Sequence, residues 1–365
     1  MTKKTKLLYL FPVRYSWIRQ RPHCIAEGLA KFGYDVTCLS MGPVTSYRFF
    51  SRKEAWMDVW ERPLLPGSFL SSIVRSLNRI LIWIYLRRKK FDLVLATEPR
   101  QYCWLPPHLK KIPMVYDCMD LHPEFYTGVK RSMVLEAECQ VVAAARKISV
   151  SSGNIGDYLV DKCKANRSKI YEIGNGIELD FGLKGDVPES QTGKTIAYFG
   201  TIANWIDWAS IVLAAKRNAE WTFDFYGPVE GSLPASLPVN IKIKKPLSHN
   251  LAMQKMRESG ILIMPFKRSP LIDGVDPVKM YEYLSTGRPI ISSWWPLLEK
   301  FKSFKAVNFY RSAEELSALI GFIKSNRQYE MPREFLLKSS WNERVERFVS
   351  VLQEAQNRNH NSCER

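Results

Sequence analysis

The chain has 365 residues, 46% of them hydrophobic and 24% charged, which describes a globular protein long enough for two domains. Its net charge is +17, and residues 1–175 carry 13 of those excess positive charges, which favours an anionic partner for that half. The longest uninterrupted apolar run, 80–86, is too short to span a bilayer. The seven cysteines contain no C-x-x-C and the five histidines are scattered, so we predict no zinc site and expect a reducing cytosol.

Strand-like and helix-like segments alternate through the first half of the chain. The apolar run 7–12 is too short for a signal peptide and is interpreted as part of the first strand. The predicted strands are 6–11, 35–40, 92–97, 114–118, 147–151 and 169–173, and the predicted helices are 21–32, 69–89, 128–145 and 153–163. This alternation is typical of parallel sheets whose strands are joined by crossover helices.

A polar segment rich in Gly, Pro and Ser, 182–194, is interpreted as an interdomain linker. A second alternating set follows it, with predicted strands at 195–200, 221–227, 240–244, 261–265, 289–293 and 306–310. Near the end, one apolar face of a further helix is marked by Trp341, Val345, Phe348, Val349 and Leu352. The predicted fold class is therefore α/β, with two domains and a C-terminal helix.

The most informative segment runs from Asp276 to Pro289. Asp276 is a suitable N-cap and Pro277 a suitable first helical residue, which puts Lys279 in a first turn whose backbone N–H groups favour an anion. Glu282 follows on the same face, where it can accept hydrogen bonds from sugar hydroxyls. The structural alternative is an ordinary capped helix with a solvated Lys–Glu pair.

This segment resembles the donor-nucleotide motif P-x-K-x-x-E-Y-x-x-x-G-x-P of GT-B glycosyltransferases. The resemblance implies that Lys279 contacts the nucleotide diphosphate and that Glu282 holds the ribose. Retaining members of the family carry an E-x7-E pair, and Gly274 stands where the first of those glutamates is expected. The stereochemical course of transfer therefore stays open.

The resemblance extends over nearly the whole chain and implies a GT-B architecture. An acceptor-binding Rossmann-like domain is expected at 1–180 and a nucleotide-sugar-binding one at 190–340, facing each other across the active site. A helix at 341–358 is expected to cross back to the first domain.

Further donor-binding positions follow from the same resemblance. Gly200 ends a predicted strand and lets the backbone approach the diphosphate, and Thr201 beside it is expected to donate to a phosphate oxygen. Pro265 and Phe266 are expected to line the base pocket, and Gly227 ends another strand at the same edge. These last three positions are equally compatible with core or turn roles.

Between the first strand and the first helix lie Trp17, Gln20 and Arg21, on the side of an α/β sheet where ligands bind. This stretch resembles one found in bacterial cell-envelope glycosyltransferases, including those of teichuronic acid synthesis. The resemblance implies that Arg21 meets the donor phosphates or the pyrophosphate of an acceptor. The alternative is a solvated arginine at the start of a helix.

The loop after strand 114–118 carries Asp120 and His122, and Asp117 ends the strand itself. A loop carboxylate in a cleft can act as general base on a sugar hydroxyl. The segment resembles the catalytic region of the inverting glucuronosyltransferase of xanthan synthesis, which implies that Asp120 is the base. Retaining relatives have a histidine in this neighbourhood, so His122 is the competitor, and turn capping by the two aspartates is the structural alternative.

Residues 73–90 combine apolar positions at helical spacing with six basic residues. Such a helix suits an anionic membrane surface, although an ordinary sheet-covering helix with a charged end fits the apolar positions equally well. The excess positive charge of the first half favours membrane contact, so we expect a cytoplasmic enzyme bound peripherally to the inner face of the plasma membrane. The resemblance concerns the substrate and product. It implies a lipid-linked glycan acceptor and a product that enters capsule or O-antigen-type lipopolysaccharide biosynthesis.

The expected donor is a UDP-sugar, and neither a cofactor nor a metal is expected. Two other functions stay open. A UDP-sugar 2-epimerase of the same fold binds a similar donor but needs no acceptor. A basic nucleic-acid-binding protein is favoured by net charge alone, and no recognition motif supports it.

Overall fold

The computed structural model describes residues 4–16, 19–54, 56–179, 193–323 and 328–357. The chain divides into two compact units. Unit 1 comprises Met1–Asn175 together with Trp341–Arg365, and unit 2 comprises Gly176–Ser340. The predicted linker lies outside the described residues except for its last two positions.

Unit 1 is built on an eight-stranded sheet in the order β3-β4-β2-β1-β5-β6-β7-β8. Its strands are β1 (Lys6–Phe11), β2 (Asp35–Pro43), β3 (Phe50–Lys53), β4 (Met57–Leu64), β5 (Leu93–Ala96), β6 (Met114–Cys118), β7 (Lys147–Val150) and β8 (Ile170–Glu172). Neighbouring strands are parallel except for the antiparallel edge pair of β3 and β4. The central strands are buried on both faces, which is why they appear in the sequence as continuous apolar runs.

Helices cover both faces of this sheet. They are α1 (Arg21–Lys31), α2 (Ser72–Leu86), α3 (Pro99–Cys103), α4 (Pro107–Lys110), α5 (Gly128–Ala144), α6 (Gly153–Cys163) and, at the end of the chain, α13 (Trp341–Gln356). On one face, α1 and α13 form a core with β1, in which Val345, Phe348 and Leu352 join Tyr9 and Ile25. On the other face, α2, α5 and α6 contribute buried side chains to a second core.

Unit 2 has a six-stranded parallel sheet in the order β11-β10-β9-β12-β13-β14. Its strands are β9 (Thr195–Phe199), β10 (Thr222–Tyr226), β11 (Ile241–Lys244), β12 (Ile261–Met264), β13 (Ile290–Ser293) and β14 (Val307–Tyr310). Its helices are α7 (Trp208–Arg217), α8 (His249–Glu258), α9 (Pro270–Asp273), α10 (Val278–Leu284), α11 (Ala313–Phe322) and α12 (Arg333–Lys338). The carboxyl ends of these parallel strands all lie at one edge, where α/β proteins bind ligands.

All twelve predicted strands are present, and their ends shift by three residues at most. The hairpin of β3 and β4 is not among the predictions. Every residue of β3 is exposed, and β4 contains Pro63, so neither strand carries the apolar run that marks the others. An edge strand of this kind leaves little signal in the sequence.

Two local expectations are wrong. Helix α10 begins at Val278 with Pro277 in the N-cap position, and Asp276 is buried instead of capping the helix. The Asp276 carboxylate accepts hydrogen bonds from Tyr281 Oη at 3.1 Å and from Lys300 Nζ at 2.8 Å. The second concerns the cysteines, for which the expected reducing cytosol favours free thiols, whereas a disulfide between residues 139 and 163 links α5 to α6.

Helix α2 is unusual among the sheet-covering helices because its apolar residues are largely exposed. Asn78, Ile82 and Leu86 are buried against unit 1, whereas Ile73 is 70% exposed and Ile80 is 53% exposed. No helix in the described ranges is both long and apolar enough to cross a membrane.

Candidate active site

The side chain of Lys279 lies against Gly200 at the carboxyl end of β9. A Cβ atom on Gly200 would lie 2.1 Å from Lys279 Cε and 2.5 Å from its Nζ, so a side chain at position 200 would displace the end of the Lys279 side chain from this place. Gly200 also has a φ of +142°, which residues with a side chain rarely adopt. The close approach therefore places an ammonium group at the backbone where β9 ends.

The ammonium group of Lys279 has no ionic partner within the described part of the chain. It lies 5.8 Å from the centroid of the Tyr198 ring, and no carboxylate there is within salt-bridge distance. Burial lowers the pKa of Lys279, and the Glu282 carboxylate opposes this shift. A partly desolvated cation without a counterion attracts an anionic ligand strongly.

Glu282 lies on the next turn of α10. Burial raises the pKa of its carboxyl group, while His249 and Lys279 lower it and Glu178 raises it further. Its Oε1 atom lies 3.8 Å from His249 Nδ1. Sequence reasoning missed His249, because a residue 33 positions earlier at the start of another helix leaves no local signal.

The backbone at the ends of β9 and β10 is packed tightly. Gly200 N donates to Tyr226 O at 2.8 Å, and a Cβ atom on Gly227 would lie 1.9 Å from Gly200 O. Thr201 follows at the strand end, half-buried, with its carbonyl accepting from Tyr198 Oη at 2.9 Å. The structure thus brings four of the predicted donor residues, Gly200, Thr201, Gly227 and Lys279, to one edge of the sheet.

Pro265 and Phe266 make contacts within unit 2 that are typical of structural residues. The Pro265 carbonyl accepts a hydrogen bond from Asp207 N at 2.8 Å. The Phe266 ring is only 7% exposed and packs in the core between Tyr198 and Trp295. The expectation that Phe266 lines a base pocket is therefore corrected, since its ring is used for packing within unit 2.

Arg21 is buried in unit 1 and fully hydrogen-bonded. Its Nε and Nη2 atoms donate to the two carboxylate oxygens of Asp117 at 3.1 and 2.9 Å. Its remaining N–H groups donate to Ser149 Oγ, Gly174 O and Asn175 Oδ1. Because a guanidinium has five N–H groups, none is left for a phosphate, and the expected phosphate contact is corrected to a structural role.

Gln20, in the same stretch, also has a structural partner. Gln20 is the N-cap of α1 and forms a capping box with His23, whose Nδ1 accepts from Gln20 N at 3.1 Å. Trp17 lies outside the described residues. The described part of this segment therefore starts a helix, and Arg21 is buried in the unit instead of solvated as the structural alternative expected.

Asp120 and His122 lie in the turn that follows β6, where His122 N donates to Asp120 O at 2.9 Å. Burial raises the pKa of Asp120 to about 7, with Arg21 lowering it and Asp117 raising it. A carboxylate with such a pKa can accept a proton near neutral pH and is a suitable general base. Asp117 is not available for this role because Arg21 holds it.

His122 is buried, and its Nε2 atom has no hydrogen-bond partner among the described residues. Burial lowers the pKa of His122, while Glu98 raises it and Arg100 lowers it. The imidazole is therefore neutral at physiological pH and keeps one nitrogen unused. The geometry leaves both Asp120 and His122 as candidate proton acceptors.

Comparisons with known proteins bear on the fold. The structure of sucrose-phosphate synthase from Thermosynechococcus elongatus matches 96% of this chain and 99% of its own, with a TM-score of 0.73 and 12% identity. Anabaena HepE, solved with UDP and glucose, matches 96% of this chain and all of its own, with a TM-score of 0.70 and 12% identity. The chain has the GT-B fold.

Sequence comparisons agree with the GT-B fold. A family model described as Glycosyltransferase Family 4 matches residues 23–181. TuaH of Bacillus subtilis, named for glycosyl transfer in teichuronic acid biosynthesis, is 26% identical over 207 residues. That match covers 52% of each chain, so it spans about half the length of this relative.

Proposed function

We propose that this GT-B protein is a glycosyltransferase that uses a nucleotide-sugar donor, specifically a UDP-sugar. The observation that carries the proposal is the partly buried Lys279 ammonium lying on Gly200 without an ionic partner among the described residues, with Glu282 one helical turn away. Two further findings support it, the similarity to TuaH and the fold shared with structures solved with UDP.

Each group at this edge of unit 2 has a role in holding the donor. Lys279 contacts the diphosphate, and its positive charge compensates the phosphate groups for the hydration that they lose on binding. Thr201 donates to a phosphate oxygen, and the absence of side chains at Gly200 and Gly227 leaves room for Lys279 and for the close approach of the two strand ends. Glu282 accepts hydrogen bonds from the ribose hydroxyls, and His249 beside it opposes the rise that burial causes in the pKa of this carboxyl group.

The reaction transfers the sugar to a hydroxyl of the acceptor. Asp120 accepts the hydroxyl proton as the acceptor oxygen bonds to the anomeric carbon, and the bond from that carbon to the phosphate oxygen breaks. The nucleoside diphosphate leaves with the bonding electron pair, and the developing charge is stabilised by Lys279. The proposal requires no resident metal or cofactor, because Lys279 supplies this positive charge.

For the acceptor we propose a lipid-linked glycan of a cell-envelope polysaccharide of the capsule or O-antigen type, reached by peripheral binding to an anionic inner-membrane surface. The membrane contact is supported by a line of exposed apolar side chains on one face of α2, namely Ile73, Leu77, Ile80 and Ile84. The exposed basic run 87–90 follows directly.

Vesicle flotation tests the membrane contact. The double variant Ile73→Ser/Ile80→Ser should lose binding to phosphatidylglycerol vesicles, whereas the matched variant Val129→Ser/Val239→Ser, at exposed positions elsewhere, should keep it. Equal flotation of both variants would remove α2 from the membrane contact.

Calorimetric titration with UDP tests the donor site. Lys279→Ala should weaken UDP binding by about a hundredfold, because the diphosphate loses a charge-assisted contact in a partly buried site. Lys305→Ala, at an exposed lysine of the same unit, is the matched control and should bind UDP like the wild type. UDP binding that is insensitive to Lys279→Ala would end the proposal.

Incubation of the wild type with UDP-sugars alone separates transfer from epimerisation. Release of an epimerised sugar nucleotide without any acceptor would favour the 2-epimerase function over the transferase.

A further inference from the structure

A cavity lies among the described residues of unit 1, at the carboxyl ends of its strands. Its volume is about 410 Å³, and its lining includes Pro12 after β1, Pro43 and Leu64 at the ends of β2 and β4, and Glu98 just beyond β5. This is the edge at which open parallel sheets bind ligands. Among the described residues, none that the sequence predicts as a site residue lines it.

One end of this cavity is cationic. The Arg100 guanidinium carbon lies 4.7 Å from the centroid of the Phe69 ring, and Lys130 Nζ lies 5.7 Å from the same centroid. Glu98 is the only acidic residue in the lining, and it already accepts from Arg100 Nε at 2.7 Å and from Gln101 N at 3.2 Å. One net positive charge therefore remains at this end of the cavity, which favours an anion.

The wall of the cavity also holds a buried acceptor without a partner. Gln101 is 2% exposed, and its Nε2 donates to Phe11 O at 3.1 Å. Its Oε1 atom has no hydrogen-bond partner among the described residues. Because an unsatisfied buried acceptor costs free energy, this wall is suited to a ligand with a hydrogen-bond donor beside its negative charge, such as a sugar hydroxyl next to the phosphate of a lipid-linked glycan.

The other end of the cavity continues onto helix α2. The wall segment 64–70 is anchored to the helix by Asn78, whose side chain exchanges two hydrogen bonds with the Leu65 backbone, at 2.8 and 3.0 Å. Leu70 closes this wall and is 86% exposed, and Ile73 follows it on the exposed apolar face. An alkyl chain that leaves the cavity over Leu70 would thus meet apolar side chains and not water.

We propose that this cavity binds the phosphate head of an isoprenoid-type lipid diphosphate, with Arg100 and Lys130 holding the anion and the chain lying over Leu70 towards α2. The inference rests on the proposed function, because it names the part of the lipid-linked acceptor that unit 1 recognises. It also gives the acceptor phosphate a binding site that Arg21 does not provide, since Arg21 is fully engaged with Asp117 and its neighbours.

Calorimetry with geranyl diphosphate, a water-soluble prenyl diphosphate, tests the proposal on the full-length protein. Wild type should bind it at least tenfold more tightly than inorganic pyrophosphate, because the prenyl chain buries apolar surface. Lys130→Gln should weaken binding by threefold to tenfold and Lys130→Glu by more, because the anion loses a charge-assisted contact. Lys130 is exposed, so its replacement should leave the fold intact. Lys111→Gln, at an exposed lysine outside the lining, should bind like wild type.

Three outcomes would overturn the inference. Equal binding by wild type, Lys130→Gln and Lys130→Glu would remove the anion from this cavity. Equal affinity for geranyl diphosphate and pyrophosphate would remove the lipid chain. Loss of geranyl diphosphate binding in Lys279→Ala would place the ligand in unit 2.

UDP titration of the same preparations keeps this test separate from the donor proposal. UDP binding that depends on Lys279, together with geranyl diphosphate binding that ignores Lys130, contradicts the cavity alone. Absent UDP binding contradicts the donor proposal, whereas the Lys130 series still decides the cavity.

Discussion

Arg21 in unit 1 and Lys279 in unit 2 are both removed from bulk water, and the sequence suggests a phosphate partner for each. They differ in what the protein provides. Arg21 uses all five N–H groups on acceptors of its own unit, above all the Asp117 carboxylate. The Lys279 side chain packs against Gly200 and has no ionic partner among the described residues. Burial of a cation therefore indicates a ligand only where the counterion is missing.

Asp117 and Asp120, three residues apart, show the same contrast between a carboxylate paired with Arg21 and one that is not. Replacing Asp120 is therefore predicted to have the largest effect, on the rate of transfer. Asp120→Asn should lower transfer by 10²- to 10⁴-fold, on the scale of general-base catalysis, and leave UDP affinity unchanged. Because burial raises the pKa of Asp120 to about 7, the carboxylate forms as the pH rises through that value. The wild-type rate should therefore rise with pH through about 7, and a pH–rate profile of the variant should lack this limb.

His122→Gln is the comparison variant for that measurement. If transfer stops in His122→Gln and continues in Asp120→Asn, the proton acceptor is the histidine. Retained activity in both variants would exclude this turn from the chemistry.

Arg21→Ala should be the next largest effect, and it should appear in stability. Removing the guanidinium leaves Asp117 buried without its counterion, which costs about 3–5 kcal/mol in the free energy of unfolding. Urea titration measures this loss, and UDP affinity should stay unchanged. Arg19→Ala is the control, because its more exposed pair with Glu27 should contribute under about 1 kcal/mol. A urea midpoint for Arg21→Ala equal to that of the wild type would show that Arg21 has no structural role, and the difference between Arg21 and Lys279 would then be lost.

Glu282→Gln should have the smallest effect, about a tenfold loss of UDP affinity, because an ionised acceptor for ribose hydroxyls becomes neutral. The wild type should also bind UDP more tightly than 2′,3′-dideoxy-UDP, and the variant should lose most of that preference. Glu299→Gln, at an exposed glutamate paired with Lys302, is the matched control. A variant that still prefers UDP as strongly as wild type would assign the ribose to another group.

The donor edge of unit 2 could be predicted from the sequence because its determinants are local. Lys279 and Glu282 lie within one short helix, and the rule that parallel strands end at one edge brings Gly200 and Gly227 to it. The resemblance to GT-B enzymes supplied the roles. What the sequence did not indicate is which cations already have partners.

The missed features depend on residues that are distant in the chain. Arg21 and Asp117 are separated by 96 positions, and nothing in either neighbourhood shows that they meet. The core position of Phe266 likewise depends on Tyr198 and Trp295. The exposure of Ile73 on α2 could not be predicted because a buried and an exposed apolar face have the same periodicity.

The placement of α13 has a consequence for biogenesis. Val345, Phe348 and Leu352 complete a core whose other members, among them Tyr9 and Ile25, are made more than 300 residues earlier. A ribosome that has released everything up to Ser340 thus presents a first unit with one apolar face still uncovered. Folding of that unit must wait until α13 has been synthesised, whereas the unit whose sequence is inserted into it has no such delay.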